Sequence, residues 1–423
     1  MLFLLTMATS LNMLDRRIIN LLAEPIKHDL HLSDAQLGAV TGLAFALLYC
    51  TAALPIARAA DRGDRVRVLG LSIIVWSIFT AISGAATNFI QLFLPRVGVG
   101  IGEAGCAPPA QSLIVDEFPP ERRSSALAVF MAGSGIGAAV GFVLGGFLGG
   151  WIGWRWTLVC AGAPGLIVGA LVLATLKDRH RIQPARERPA LQPVLRVLAM
   201  LLRRRSFVMV SLAFACIGFV DYTTSAFAGS FYLRVHAAGL ARLAADWGVK
   251  PLAVIGLGLG LFGSLGGVLG SVVGGVLGDR MAARDVRALT AIPAVGMAIS
   301  TIGYVVMFTV PSVLTSLLAS GVASFFINFF GGPGSLALQQ VAGRYSRATA
   351  LAVTTFIASG IGAGIGPLSA GFISDALASR LGQGEGLRVA ILVCLISGLI
   401  GAAFFASAGR TLERDIADAN GTA

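Results

Sequence analysis

The sequence predicts an all-α membrane protein of twelve transmembrane helices in two six-helix halves. Three observations carry that expectation: the composition, the recurrence of long apolar runs, and the placement of the cations. Of 423 residues, 56% are hydrophobic and only 13% charged, about half the charged share of a soluble domain. Mean hydropathy is +0.82. Such an apolar excess excludes a cytosolic globular enzyme, a coiled coil and a disordered chain.

A span needs about 20 mostly apolar residues. Such segments fall at 2–24, 36–57, 68–88, 90–115, 125–149, 154–176, 206–233, 252–278, 288–310, 312–339, 348–374 and 387–408. The opening run is apolar but lacks a basic leader and a small-residue cleavage site, so it reads as the first span rather than a signal peptide. A long Arg- and Pro-rich stretch after the sixth span divides the chain into a first half (1–176), a basic linker (177–205) and a second half (206–423). The cations test this layout. With both termini on one side, 22 of the 32 Lys and Arg fall in that side's segments, 7 fall on the other, and Arg16, Arg17 and Arg96 lie within spans. By the positive-inside rule both termini are cytoplasmic. The net charge of +11 is therefore an orientation signal, and no nucleic-acid partner is expected.

Site signatures of other classes are missing. Cys50, Cys106, Cys160, Cys216 and Cys394 each sit in an apolar run without paired spacing, as small buried hydrophobes do. No metal site, P-loop, GxSxG, HExxH or EF-hand pattern occurs, and the GxGxxG match at 100–105 lies inside a span. No cofactor and no enzyme activity are expected.

The halves repeat. Asp61-Arg62, with Arg65 following, stands after the second span. Asp279-Arg280, with Arg284 following, stands 218 residues later after the eighth. Glycine ladders recur in spans five (Gly133, Gly137, Gly141, Gly145) and eleven (Gly360, Gly362, Gly364, Gly366). Two parallel six-helix halves around a central cavity suit a secondary transporter. With the doubled Asp-Arg motif, the chain resembles the major facilitator superfamily over its whole length. Within it, three features resemble the Spinster-like lysolipid transporters: Leu11–Arg16 running on to Ala23–Lys27, then Arg96–Ala104, then Ser112, Asp116, Phe118-Pro119 and Arg122. That resemblance implies a lysophospholipid or sphingosine-1-phosphate-like substrate. It is expected to move by alternating access with protons as co-substrate, in a monomer among the lipids of a bacterial inner membrane. A multidrug or organic-anion transporter and a non-transporting membrane sensor remain as alternatives.

Ionisable groups at mid-membrane cost about 2.5–3.5 kcal/mol each by insertion scales, so the few present point to sites. Arg96 and Glu103 are seven apart and share a helix face, with glycines between them that admit a neighbouring backbone. Asp15 and Arg16 of span one are expected to face them across the first-half wall of the cavity. A carboxylate in such a place keeps or loses its proton according to whether a guanidinium stands beside it. Asp15 and Glu103 are therefore the proton-coupling candidates, and Arg16 and Arg96 the anchors for an anionic group. A static ion network locking the helices is the competing reading. Arg17, about 100° round the helix from Arg16, is expected to pair structurally. Asp221 in span seven is equally a substrate contact or a structural charge. Phe325 and Phe329, four apart on span ten, share a face and form either an apolar wall for a lipid tail or ordinary core. Asp61, Arg62, Arg65, Asp279, Arg280 and Arg284 are candidates for a cytoplasmic gate, or else a solvated loop.

Overall fold

The computed structural model describes residues 1–178, 194–343 and 346–421, which are helical with no strand among them. The middle of the expected linker, 179–193, lies outside the described residues. In chain order the helices are α1 (Leu2–Leu21), α2 (Ala23–Leu30), α3 (Asp34–Gly38), α4 (Ala44–Arg62), α5 (Arg65–Ser83), α6 (Phe89–Ala104), α7 (Ala107–Glu117), α8 (Pro120–Trp151), α9 (Gly153–Thr175) and α10 (Val194–Arg203). The second part holds α11 (Arg205–Val235), α12 (Ala237–Asp246), α13 (Pro251–Gly258), α14 (Leu265–Ala282), α15 (Ala288–Thr309), α16 (Val313–Ile327), α17 (Gly331–Ala342), α18 (Arg347–Ser359), α19 (Gly366–Gly409) and α20 (Leu412–Asn420).

Among the described residues nine helical stretches are long and apolar enough to cross a membrane. One of them runs 61 residues from Thr349 to Gly409 and is broken at Gly382, whose φ of 81° is non-helical. It is long enough for two crossings. The three charges of α1 and the break between α6 and α7 keep those segments out of the nine. Adding them gives the twelve expected. That break falls at Gly105–Cys106, just ahead of Pro108 and Pro109, which have no N–H to give to a preceding turn. Likewise the first span stops at Leu21 rather than 24, with Pro25 in the first turn of the next helix. Short π-helical turns at Ala39–Leu43, Leu259–Ser264 and Gly360–Ile365 interrupt spans two, eight and eleven.

Both ends of the chain lie on one face, here the terminal face. Residues 22–34, 234–250 and 374–385 lie on the opposite, distal face. Lipid tails are as apolar as leucine, so helix association rests on close packing and polar contacts rather than on water exclusion. The glycine ladders supply the close packing. A Cβ at Gly133, Gly137 or Gly141 of α8 would lie 2.0–2.8 Å from the backbone of Thr6, Ser10 and Leu14 in α1, and Gly362 and Gly366 meet Gly218 and Phe219 of α11 in the same way. These ladders join helices within each half. Two other sets cross between halves near the distal face. Gly38 and Gly42 touch the carbonyls of Pro367 and Ala363, and Gly256 and Gly146 touch those of Phe142 and Leu252. The core follows suit. Ile18 and Leu21 of α1 share one buried cluster with Phe227, Phe231 and Leu252 of the second half. At the terminal face the first half keeps a separate cluster around Leu5, Trp76, Ile114 and Phe130.

Candidate functional site

A buried charge cluster joins α1 to α6. Arg16 Nε donates to Glu103 Oε2 at 2.6 Å, and its Nη1 to the Tyr222 hydroxyl of α11 at 3.4 Å. Its guanidinium carbon lies 4.1 Å from the centre of the Phe45 ring and 5.2 Å from that of Tyr49, a cation–π contact at each. Asp15 Oδ2 accepts from Thr80 Oγ1 at 2.9 Å. Arg96 is only 1% exposed, yet its Nε and Nη1 meet no acceptor, and Asp15 Oδ1 and Glu103 Oε1 meet no donor, among the described residues. The glycines between Arg96 and Glu103 do admit neighbours: Gly98 faces the Phe79 ring, Gly100 the Phe45 carbonyl and Gly102 the Trp76 amide. Two carboxylates and two guanidiniums thus share one largely buried pocket, with four of their nitrogen and oxygen atoms unpartnered among the described residues. A buried polar group left so is costly, and such a cluster has several near-equivalent ways to redistribute its bonds.

A cavity of about 710 Å³ lies beside it, between α1 and α8 of the first half and α11, α14, α15 and α16 of the second. It runs from Arg17, Asp221 and Tyr304 at mid-membrane to exposed Asp279 at the terminal face. The wall is mostly apolar (Met13, Met131, Phe142, Leu259, Val268, Val272), with Ser225, Ser324 and Asn328 among the polar groups. The expected anchors stand apart from this cavity. Neither Arg16 nor Arg96 is among the residues lining the cavity; Arg17 is. The reason is helical rotation. One residue turns the side chain about 100°, so Arg16 points at α6 and α4 while Arg17 points at α11. Arg17 Nη1 donates to Ser225 Oγ, which also receives Asn20 Nδ2 at 2.9 Å, and Arg17 Nη2 stands 3.8 Å from Asp221 Oδ2. Asp221 also faces the cavity.

The phenylalanines of span ten also stand apart from the cavity. Phe329 is buried with Ala288 and Ile292, and Phe325 packs against it with ring centres 5.3 Å apart. Neither lines the cavity; Ser324 and Asn328, one position away from each, do. Gly270 and Gly274 of α14 press on the backbone of Phe325 and Phe329, which turns that face into the α14–α15–α16 seam.

At the terminal face Arg65 donates to Asp178 (Nη2 to Oδ1, 2.6 Å), to Ser112 Oγ (2.8 Å) and to Asp116, all within the first half. Asp279, Arg280 and Arg284 are exposed. The side chains of Asp61 and Arg62 lie outside the described residues. The candidate gate residues that are described therefore make no bond between halves in this conformation.

Besides the α1–α11 contacts at mid-membrane, the halves are bonded at the distal face, in a network that no sequence motif singled out. Arg234, at the end of α11, donates to both oxygens of Glu24 (2.8 and 2.6 Å) and to both of Asp34 (2.8 Å each). Lys27 Nζ donates to Asp34 Oδ1 at 2.6 Å, and Ser374 Oγ to Asp34 Oδ2 at 2.6 Å. Asp375 of α19 accepts the backbone N–H of Asp34 and of Ala35, each at 2.9 Å. Bidentate guanidinium–carboxylate pairs are strong and direction-specific. Scattered charges at span ends looked like ordinary topology; the usable signal was that opposite signs, Asp34 and Arg234, stand at the same membrane level in different halves.

The sequence matches the Major Facilitator Superfamily over residues 5–367. The chain belongs to that superfamily. Within it the relatives include Spinster proteins. A crystal structure of a bacterial homolog to the human lysosomal transporter Spinster, inward-facing and unoccupied, superposes with a TM-score of 0.86 at 30% identity, covering 98% of this chain and 97% of that one. An MFS-type efflux pump of Mycolicibacterium smegmatis is 31% identical across 97% of this chain and 92% of its own. A mouse sphingosine-1-phosphate transporter is 28% identical over 95% of this chain and 75% of its own. This is a multi-pass membrane transporter of the Spinster-like kind, and superfamily members of this fold are not enzymes.

Proposed function

We propose that the protein is a proton-coupled transporter of a lysolipid-like amphiphile, working by alternating access between its first half (1–176) and second half (206–423). The observation that carries the reading is the Arg16–Glu103 pair in its buried pocket, one helix face away from the cavity. A proton on Glu103 cancels the charge that holds Arg16. Freed from Glu103, Arg16 is left to its bond with the Tyr222 hydroxyl of α11, which couples proton binding to the contact between halves. Arginine keeps its charge throughout, so the carboxylates carry the proton and the guanidiniums answer it. Arg17 and Asp221, opposite charges on one cavity wall, suit a headgroup with a phosphate and an ammonium, and the apolar wall toward α14 suits its chain. With the termini cytoplasmic, in a bacterial inner membrane, the cavity is inward-open and the distal network closes the outer side, a reading supported by the likeness to a Spinster homolog solved inward-facing. Asp279, Arg280 and Arg284 would then meet the first half only when the cavity closes inward.

Uptake of a labelled lysolipid into proteoliposomes, with and without a pH gradient, tests this. The wild type is expected to respond to the gradient, and Glu103→Gln and Asp15→Asn to transport without responding. A Glu103→Gln variant as gradient-sensitive as the wild type overturns the coupling. A second reading, efflux of hydrophobic drugs, is favoured by the mycobacterial efflux relative; transport of drug-like cations but no lysolipid would select it.

A further inference from the structure

A second pocket, of about 440 Å³, opens on the terminal face at the junction of α10, α11 and α20. Arg203, Arg204, Arg205, Arg414, Asp415 and Asp418 line it with Met200 and Thr411. Four guanidiniums face two carboxylates, and one of those is already committed: Asp415 is buried and accepts the Ser206 N–H at 2.8 Å and the Ser206 hydroxyl at 2.6 Å. Arg204 is committed as well, donating to the Val341 carbonyl at the end of α17. Arg203, Arg205 and Arg414 are left exposed without a carboxylate partner among the described residues. The pocket therefore presents three free cations around a concave polar surface.

Its height matters as much as its charge. Arg205 is the first residue of a membrane-spanning helix, which puts the three cations at headgroup level. Beside them α10 buries Val197 and Leu201 in the protein while Leu202 stands 53% exposed, an apolar side chain next to the cluster. A soluble anion would use the arginines alone; a lipid would use both. We propose that this pocket holds the phosphate headgroup of an anionic phospholipid from the surrounding leaflet, with an acyl chain along Leu202. Basic pockets at the ends of spanning helices recognise such lipids by charge. Since the pocket joins α10, α11 and α20, an occupant ties the end of the linker to two helices of the second half, away from the transport cavity.

The test uses the full chain in nanodiscs of phosphatidylcholine with or without phosphatidylglycerol, read by thermal unfolding. Phosphatidylglycerol is expected to raise the midpoint of the wild type by about 3–5 °C. The Arg203→Gln/Arg205→Gln/Arg414→Gln variant is expected to lose that rise, and Arg122→Gln, exposed elsewhere on the same face, to keep it. If the triple variant does not fold, Arg414→Gln alone is expected to lose part of the rise, and native mass spectrometry to find fewer retained phosphatidylglycerol molecules on it. A rise that survives the triple variant, or no difference between Arg414→Gln and the wild type, overturns the site. An equal rise from inorganic phosphate in pure phosphatidylcholine overturns the lipid as its occupant.

Discussion

The two faces of the molecule handle charge in opposite ways. On the distal face Arg234 of the second half grips Glu24 and Asp34 of the first, and glycines at two helix crossings bring the halves into backbone contact. On the terminal face the ion pairs stay at home: Arg65 with Asp116 and Asp178 in the first half, Arg287 with Glu413 in the second. The difference teaches that the closed side is held by bonds that must break for the halves to rock, whereas the open side has its charges stored where rocking leaves them intact. Buried bonds between halves are what set the relative stability of the two states.

The comparison is most easily broken at Arg234. Its side chain is 7% exposed against Glu24 at 4% and Asp34 at 2%, and removing one member of a buried pair strands the other charges at a cost of about 3–5 kcal/mol. Arg234→Gln is therefore expected to open the distal face, seen as labelling of a cysteine introduced at Ser374, and to abolish most transport. A variant whose distal face stays closed to the label shows that the glycine crossings suffice alone. A smaller effect is expected at one such crossing. A Cβ on Gly256 would lie 2.3 Å from the Phe142 carbonyl, closer than side chains approach backbone, so Gly256→Val should wedge α13 from α8 and slow transport about tenfold, in line with a misfit of 1–3 kcal/mol. Unaltered transport would mean that this contact carries no part of the cycle. The smallest effect belongs to a distal charge that stays within one half. Asp29 accepts from Trp154 Nε1 at 3.0 Å and from Arg155. What burial it has would raise its carboxyl, but those two donors outweigh it and hold the carboxyl below the usual range. The stabilisation is thus complete at neutral pH and fades as pH falls through that lowered value. Asp29→Asn should shift thermal stability only slightly, and only above that pH; a loss of transport would tie α2 to the gate.

Much of the plan was readable from the chain. The helical membrane fold follows from the apolar runs, and Asp15, Arg16, Arg96 and Glu103 stood out because charge inside a bilayer is rare. Reading failed where the answer depended on rotation about a helix axis. Arg16 and Arg17 are neighbours in sequence, and nothing local says which of them turns to the cavity; packing of α1 on α8 through Gly137 and Gly141 decides it. Phe325 and Phe329 share a face as expected, but α14 presents glycines to that face and claims it for the seam. The distal network was invisible for a third reason: Glu24, Asp34, Arg234 and Asp375 are 10 to 351 residues apart in sequence, and each alone is an ordinary charge at a span end.

One contact in that network reaches beyond electrostatics. The helix beginning at Asp34 has its first two amides capped by Asp375, a residue of the other half, while only the third, Gln36, is capped locally, by Ser33. Uncapped first-turn amides are orphan donors, so parting the halves also removes part of what folds the start of span two. Opening the distal face is then partly a local melting, and amide exchange at Asp34 and Ala35 becomes a clock for how often that face opens.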